Sequence, residues 1–586
     1  MPSIVETDVL IVGAGPAGAA SALMLSSLGV RNLMINKFRS TSPGPRAHIT
    51  NQRTMEILRD LGIEEEAISR ATPQEYMGEQ VYAESLVGQE YGRIRTWQTH
   101  PAHKAEHDMA SPSSVCDLPQ LYFEPMVVQA ALLRGSDIRF STAYLGHVQD
   151  NEGVTTTLRD VLSGAEVHVR SKYLIGADGA RSKVATDINL PFEGQMAEGT
   201  TGNINIQFRA DLSALVEHRR GDMYMILQPG TGVRGNGMSV LRMVRPWNHW
   251  VAIVGYDFAS GPPAMDDASA TAVVHKLIGT TDVPVTIEAV STWTHNRVYA
   301  TMNAVKRVFC MGDAIHRHAP LGGLGLNTSV QDAYNLCWKI AYVVKGLAGE
   351  ALLHSYNAER IPVAKQIVEY ANDCGQQIRE MFKQMRLPMR PTAEDFAASL
   401  SAMQAPTPEG AAMRAAVRLA MDGTISGFGG GYGIEMNQRY QSDALVDDGT
   451  ADPGFPRDPV SFYAPSTRPG AHLPHAWLVR NQRRVSTLDM CGNGKFTLLT
   501  GVSGHAWIEL AARASRELGI DLNVHIIGAG QPVQDTYGDF ARLSGIEECG
   551  ALLVRPDMFI GWRANVATPE LFSGLLPALR RILAKV

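Results

Sequence analysis

Three groups of residues in this chain have types and spacings suited to chemistry. The first is Gly13-Ala-Gly15-Pro-Ala-Gly18, which follows the apolar run 9–12. Ala17, Ala20, Met24 and Leu28 then recur on one helical face. A buried strand that runs into GxGxxG and on into a helix is a cradle for a dinucleotide. Gly13 allows the tight turn, Gly15 lets the backbone approach a pyrophosphate, and Gly18 lets the helix pack closely on the strand. The phosphates rest on N–H groups at the positive end of the helix. GxGxxG alone is a weak signal, and the strand and helix on either side give it weight. The next strand, Leu33-Met-Ile-Asn36-Lys37, ends in Asn36 where such folds ordinarily place Asp or Glu. An amide oxygen can still accept a ribose hydroxyl, without charge.

The second group is two Gly/Asp motifs far downstream. Tyr173-Leu-Ile-Gly-Ala-Asp178-Gly179-Ala-Arg181-Ser182 is one, and Val308-Phe-Cys-Met-Gly312-Asp313 is the other. The latter runs on through His316-Arg-His318 to Pro320-Leu-Gly-Gly323-Leu-Gly325-Leu326-Asn327. A strand that ends at Asp313 delivers a carboxylate able to accept from sugar-like hydroxyls. The Pro/Gly loop exposes backbone N–H groups just before a helix, a positive end suited to anionic charge. Asp178 has a plainer alternative, which is to cap a turn. The pair His316/His318, at i, i+2 with no third ligand, is a poor metal site and better suited to hydrogen bonding.

These motifs need elements to position them. Residues 1–62 read as strand, helix, strand, loop and helix. Residues 203–209, 223–228, 238–244 and 249–258 read as strands rich in aromatics and methionine, with turns at Pro229–Gly230 and 261–263. Ala333, Leu336, Ile340 and Val344 fall at helix spacing within a helical stretch, 328–385. Residues 386–415, rich in Pro, Ala and Met, read as a connection, followed by a glycine-rich stretch at 427–433. Strands at 495–501, 521–527 and 551–555 with helices between them give a β/α tail.

The 586 residues suit three or four domains. The net charge of −6 gives no global case for nucleic acid or an anionic membrane. No apolar run reaches the ~18 to 20 residues of a spanning helix, and the opening residues lack a basic leader. Cys116, Cys310, Cys337, Cys374, Cys491 and Cys549 form no CxxC pair, which fits a reducing, cytoplasmic setting without structural zinc.

The glycine loop and the two Gly/Asp motifs, in this order, resemble the single-component (class A) FAD-dependent aromatic hydroxylases, and most closely their phenol hydroxylase branch. The resemblance covers most of the chain. It implies an α/β fold: a Rossmann-like FAD-binding domain (1–75, 103–190 and 300–395), an inserted β-sheet substrate domain (76–102 and 191–299) and a C-terminal thioredoxin-like domain (415–586). Segments 467–474, 495–499 and 555–563 carry the likeness of the tail. It further implies that Gly13, Gly15 and Gly18 hold the pyrophosphate, with Asn36 and Lys37 beside the ribose. Asp313, after Gly312, would contact the ribityl chain. Pro320, Gly325, Leu326 and Asn327 would present the loop at the flavin ring. Arg46 and Gln120 match FAD-contacting positions, and Asp178-Gly179 looks like a motif shared between FAD and the nicotinamide.

The implied reaction is reduction of FAD by NAD(P)H, NADH in preference to NADPH, then addition of O2 at the flavin C4a and transfer of one oxygen to an electron-rich ring. The expected substrate is a substituted phenol of the 2-hydroxybiphenyl or chlorophenol type, hydroxylated ortho to a catechol. Phenolate is the better nucleophile, so a base near the hydroxyl makes sense. His48, two residues after Arg46, is the candidate, with an intrinsic pKa near ~6.5. Asp117 either orients His48, or relays its proton, or is a helix N-cap before Leu118-Pro119. Asp222 and Arg242 either pair at the edge of the site, or engage NADH, or form a solvated surface pair. Met223, Tyr224, Met225, Leu227, Met243, Trp247, Trp250 and Trp293 are candidates for an apolar pocket, with Met223, Met225, Leu227, Met243 and Trp293 preferred. Expected partners are a phenolic small molecule and O2, with no nucleic acid and no membrane, in a homodimer or homotetramer. Two other readings stay open: a hydroxylase of polycyclic aromatic natural products, and a flavin-binding protein without turnover. A halogenase is disfavoured by the absence of WxWxIP.

Overall fold

The run Ile4–Val12 is apolar and β-branched in its second half, where every residue from Asp8 on is buried. Such a strand belongs in the middle of a parallel sheet covered on both faces. In the computed structural model, which describes residues 4–197, 201–229, 237–388, 390–566 and 568–585, it takes that place. Asn32–Ile35 and Glu166–Gly176 flank it in parallel. Asp137–Arg139 and Val308–Cys310 extend the parallel array on either side. The helices Pro16–Ser27, Gln120–Leu133 and Gly325–Val344 cover one face through a shared core of Leu23, Met126, Val330 and Leu336. Gly13, Asn36, Ala177 and Met311 all follow carboxyl ends of these strands. That is the edge where open α/β sheets bind ligands.

A second sheet of seven strands lies in the order Thr286–Thr294, Thr201–Arg209, His249–Asp257, Met238–Arg245, Met223–Leu227, Glu79–Ala83, Glu90–Arg95. Its side chains alternate between faces. Met223, Met225 and Leu227 share one face with Tyr82 and Ile94. Tyr224, Ile226, Leu241, Met243 and Trp250 occupy the other, under the helix Asp267–Ile278. Gly230, read with Pro229 as a turn, lies outside the described residues.

Residues 386–415 are not a mere connection. They carry the helix Ala393–Gln404 and the start of Pro408–Gly423. Thr392 and Asp395 form a reciprocal capping box, and Thr407 caps the second helix with Pro408 at its first position. Ala and Met are good helix formers, so a composition read as linker was a pair of capped helices. Met403, Met413, Val417 and Met421 pack with Met223, Met225 and Leu227 and close that face of the sheet.

The tail forms a four-stranded sheet, ordered Leu522–Ile526, Phe496–Thr500, Ala551–Val554, Ile560–Ala564, with one parallel and two antiparallel pairings. Its core reaches into the first domain. Trp338 and Tyr342 of the helix Gly325–Val344 meet Phe496 edge-on at 5.8 Å. Beside them Arg555 bridges Glu359 and Asp557, and Glu359 also takes the buried ammonium of Lys339 at 2.7 Å. Among the described residues, no helix is long and apolar enough to cross a membrane.

Candidate active site

One cavity of about 1760 Å³ runs from the glycine loop to the methionine-bearing face of the seven-stranded sheet. Its nucleotide end is built by backbone conformation. Gly13 sits at φ +112°, and a Cβ there would stand 2.1 Å from the Ala177 carbonyl oxygen. At Gly18 a Cβ would stand 1.9 Å from the Gly13 carbonyl oxygen. These two glycines let strand, turn and helix pack, and only Gly13 lines the cavity. Gly15 has nothing nearer its Cβ position than Glu124 Oε1 at 3.9 Å, so its backbone can be approached closely. Asn36 and Lys37 line the same end. Asn36 Nδ2 donates to the Ser40 carbonyl at 3.0 Å, and its Oδ1 is the acceptor suited to a ribose hydroxyl.

Gln120 opens the helix Gln120–Leu133 and lines the cavity. Its amide donates to Glu124 Oε1 at 2.6 Å, and Glu124 Oε2 accepts from Ser42 N at 2.7 Å. Burial pushes the Glu124 carboxyl above its ordinary pKa. This residue ties the loop that carries Arg46 to the helix Gln120–Leu133. No motif marks Glu124 in the sequence, although its i+4 spacing from Gln120 puts both on one helix face. Arg46 lines the cavity and is exposed.

Asp313 stands exposed in the cavity, in the short turn after Val308–Cys310. Gly312 is buried behind it. A Cβ there would press on Ser329 Oγ at 2.8 Å and Ala17 Cβ at 3.1 Å, so its role is close packing. Pro320, Gly325 and Leu326 line the cavity where the helix Gly325–Val344 begins. The first N–H groups of a helix have no partner within it, so this start offers donors. Asn327 lies just behind. Its Nδ2 donates to the Ile49 and Gly323 carbonyls, at 2.9 and 2.6 Å, and its Oδ1 accepts from Asn51 N at 2.9 Å. Its side chain fixes the His48 loop against the glycine-rich loop.

Asp178 lines the cavity, but its carboxylate is committed to the plainer job. It accepts from Lys183 N at 2.7 Å and Val184 N at 3.2 Å, at the start of the helix Lys183–Asp187. His316 pairs with Asp332 at 2.9 Å and His318 with the Ala319 carbonyl at 2.6 Å. Among the described residues no group of three His, Cys, Asp or Glu is placed to hold a metal ion.

At the far end, His48, Asp117, Arg242 and Asp222 form one buried run. Two-residue strands, Ile49–Thr50 and Cys116–Asp117, pair and hold His48 beside Asp117. Leu118 N donates to the His48 carbonyl at 2.7 Å. His48 Nδ1 lies 3.4 Å from Asp117 Oδ1, just outside a good hydrogen bond. Arg242 Nη2 meets Asp117 Oδ2 at 2.5 Å, and Nη1 meets Asp222 Oδ2 at 2.6 Å. Asp117 therefore does not cap a helix, since Pro119 takes that place. The Arg242–Asp222 pair is not solvated either, with side chains 6% and 0% exposed.

Burial dominates the electrostatics. It lowers the His48 pKa below its ordinary value, although Asp117 pulls the other way. Burial works to raise Asp117, yet the Arg242 charge holds it below the usual carboxylate range. Asp222 stays raised by burial despite Arg242. One guanidinium cannot fully compensate two buried carboxylates, and the one nearer His48 is the better ionised.

Met223, Met225 and Trp293 line the cavity with Trp97, Ile253 and Phe428. Leu227 shares their face but is fully buried in the core under the helices and does not reach the cavity. Met243 is a correction. Arg242 faces Met223 across the strand pair, so its neighbour Met243 must face away, into the core under Asp267–Ile278. Tyr224, Trp247 and Trp250 pack with it. Trp97 went unread because a lone loop aromatic carries no periodic signal.

Residues 6–371 match the family model for the FAD binding domain, and residues 466–585 that for the aromatic-ring hydroxylase C-terminal domain. The chain is 52% identical over 582 residues to 2,4-dichlorophenol 6-monooxygenase of Delftia acidovorans, with 99% of each chain covered. It is 46% identical over 573 residues to phenol 2-monooxygenase of Pseudomonas sp. (strain EST1001), covering 97% of this chain and 92% of the relative. The structure of the flavin-dependent monooxygenase PieE in complex with FAD and substrate covers 100% of both chains at a TM-score of 0.94 and 38% identity. That of aklavinone-11 hydroxylase with FAD and aklavinone covers 99% of this chain and 100% of the other, at 0.79 and 28%.

Proposed function

This chain belongs to the FAD-dependent aromatic-ring hydroxylases, and from that premise we propose that it hydroxylates a substituted phenol ortho to its hydroxyl, with O2 and NAD(P)H, giving a catechol. The observation that carries this reading is the run Asp222–Arg242–Asp117–His48, which brings a weakly basic imidazole to an apolar chamber. The nucleotide end of the cavity fits FAD. Gly13 and Gly15 would hold its pyrophosphate, Asp313 its ribityl hydroxyls, and the helix start at Gly325 its ring. Bound there, FAD would supply the redox chemistry, taking a hydride from the nicotinamide and passing one atom of O2 to the phenol ring.

The protein's own contribution is position and protonation state. Met223, Met225 and Trp293 offer flat and adaptable apolar contacts to the ring. His48 Nδ1 faces Asp117, so Nε2 is the atom that takes the phenol proton. The imidazolium then forms beside an ionised Asp117. Arg242 keeps that carboxylate charged, and Asp222 balances Arg242 from behind. Burial keeps His48 neutral and ready to accept at neutral pH.

A second reading, hydroxylation of a polycyclic aromatic, rests on the cavity. Its 1760 Å³ takes in the FAD end as well as the chamber, and the chamber wall of Trp97, Trp293, Met223, Met225 and Phe428 offers flat contacts to a larger ring system too. Purified holoenzyme, NADH and a panel of 2-substituted phenols and one polycyclic phenol decide between them. A phenol that speeds NADH oxidation and appears as its catechol supports the first reading. Stimulation by the polycycle alone replaces it, and stimulation by neither leaves a flavin-binding protein. The setting we take is the cytoplasm, with a homo-oligomeric assembly.

A further inference from the structure

The cavity lining turns from apolar to cationic along one helix beside its chamber. The helix Gly375–Gln384 lays Ile378 and Phe382 along the chamber wall and sets Gln376, Arg379 and Lys383 at the mouth. Residues three and four apart share a helix face, so these three form one row. Arg390 and Arg297 extend the row around the rim. Arg379, Lys383 and Arg390 are exposed, while Arg297 is partly buried, 3.8 Å from Asp373. Lys383 lies 3.5 Å from Glu380 on its own helix. In this collar four cations stand with one lining acid, Asp373; the other lining acids, Glu124, Asp178 and Asp313, belong to the segments at the nucleotide end. The lining also carries Lys37, Arg39, Arg46, Arg181, Lys183 and Arg317, so the cavity holds a second cationic group besides the collar, in a chain of net negative charge.

FAD does not account for the collar. The FAD diphosphate has its place at the opposite end, at Gly13, Gly15 and the start of Pro16–Ser27. A neutral phenol gives no reason for it either. A cationic collar above an apolar chamber fits a ligand with a dianionic waist and a flat ring that must reach the flavin. The cavity volume leaves room for more than one ligand. We propose that Arg379, Lys383 and Arg390 bind the diphosphate of the nicotinamide dinucleotide, so that its nicotinamide ring is held at the mouth of the chamber, beside Phe382, while the phenol occupies the chamber. This inference rests on the NAD(P)H-dependent reading above.

The test uses FAD-loaded protein and ADP-ribose, which carries the diphosphate and cannot transfer hydride. Binding is read by calorimetry for the wild type, for R379E/K383E and for the milder R379Q/K383Q. The ADP-ribose Kd is expected to rise about tenfold or more in the reversed pair and less in the neutral pair, and in the wild type to rise with salt. The NADH concentration giving half-maximal anaerobic flavin reduction should rise in parallel. FAD content and phenol affinity should hold. An unchanged ADP-ribose Kd overturns the proposal. So does a collar variant that loses affinity for 2-hydroxybenzoate but not for ADP-ribose, which would make the collar a site for anionic substrates. Failure of the proposed function is distinguishable, because wild-type protein would then bind ADP-ribose yet release no catechol.

Discussion

His48 owes its character to neighbours far away in the chain. Asp117 comes from the segment before the helix Gln120–Leu133, and Arg242 and Asp222 from the seven-stranded sheet. Replacing His48 with Ala is expected to lower the limiting hydroxylation rate by about 10²- to 10⁴-fold. It should also remove the acid limb of the rate profile. That limb has a definite sign. Burial lowers the His48 pKa, so the rate should fall only as pH drops well below ~6.5, when imidazolium can no longer accept. Arg242→Met should be worse for stability than for local chemistry. It strands two buried carboxylates, a loss of about 3 to 5 kcal/mol by thermal or denaturant unfolding. Glu435 gives a cleaner pH test. It is buried, touches Gln98 at 3.3 Å, and burial pushes its pKa up to about 8. The folded chain holds that proton between pH ~4.5 and about 8 while the unfolded chain releases it, so this residue makes stability fall as pH rises through that range. Glu435→Gln should flatten the slope by about one proton.

The elements explain which residues could be read in advance. The glycine-loop strand and helix were legible because a buried strand, three glycines and an apolar helix face leave few alternatives. Gly13→Ala is expected to yield protein without bound FAD, since a Cβ there meets a carbonyl at 2.1 Å in a left-handed backbone. Flavin absorbance after gel filtration checks it. Strands 223–227 and 238–245 were legible too, but not which face each residue takes. Alternation forbids Arg242 and Met243 from sharing a face, and naming both as site residues overlooked that constraint. The capped helices within 393–423 were missed because Ala- and Met-rich composition was weighed without its caps, Thr392 and Thr407. Asp178 shows the converse limit. A motif names a residue, and only the fold shows that its carboxylate is already engaged by Lys183 N and Val184 N.

At the scale of the molecule, the tail is fastened to the helix Gly325–Val344, whose first turn lines the cavity. Trp338 and Tyr342 of that helix enter the tail's core, and Arg555 joins Glu359 across the boundary. None of this was readable from the chain, because each contact joins residues far apart in sequence. Arg555→Met should cost about 3 to 5 kcal/mol, since it leaves Glu359 and Asp557 buried with Lys339 as their remaining cation. Flavin release on heating should then precede or accompany unfolding of the tail. Oxygen transfer to a phenol ring is read most directly by isotope labelling. Holoenzyme supplied with NADH, 2,4-dichlorophenol and ¹⁸O₂ is expected to release a catechol in which one hydroxyl oxygen is ¹⁸O, adjacent to the original unlabelled hydroxyl. NADH consumed with hydrogen peroxide as the sole oxygen product, across the phenol panel, would contradict it.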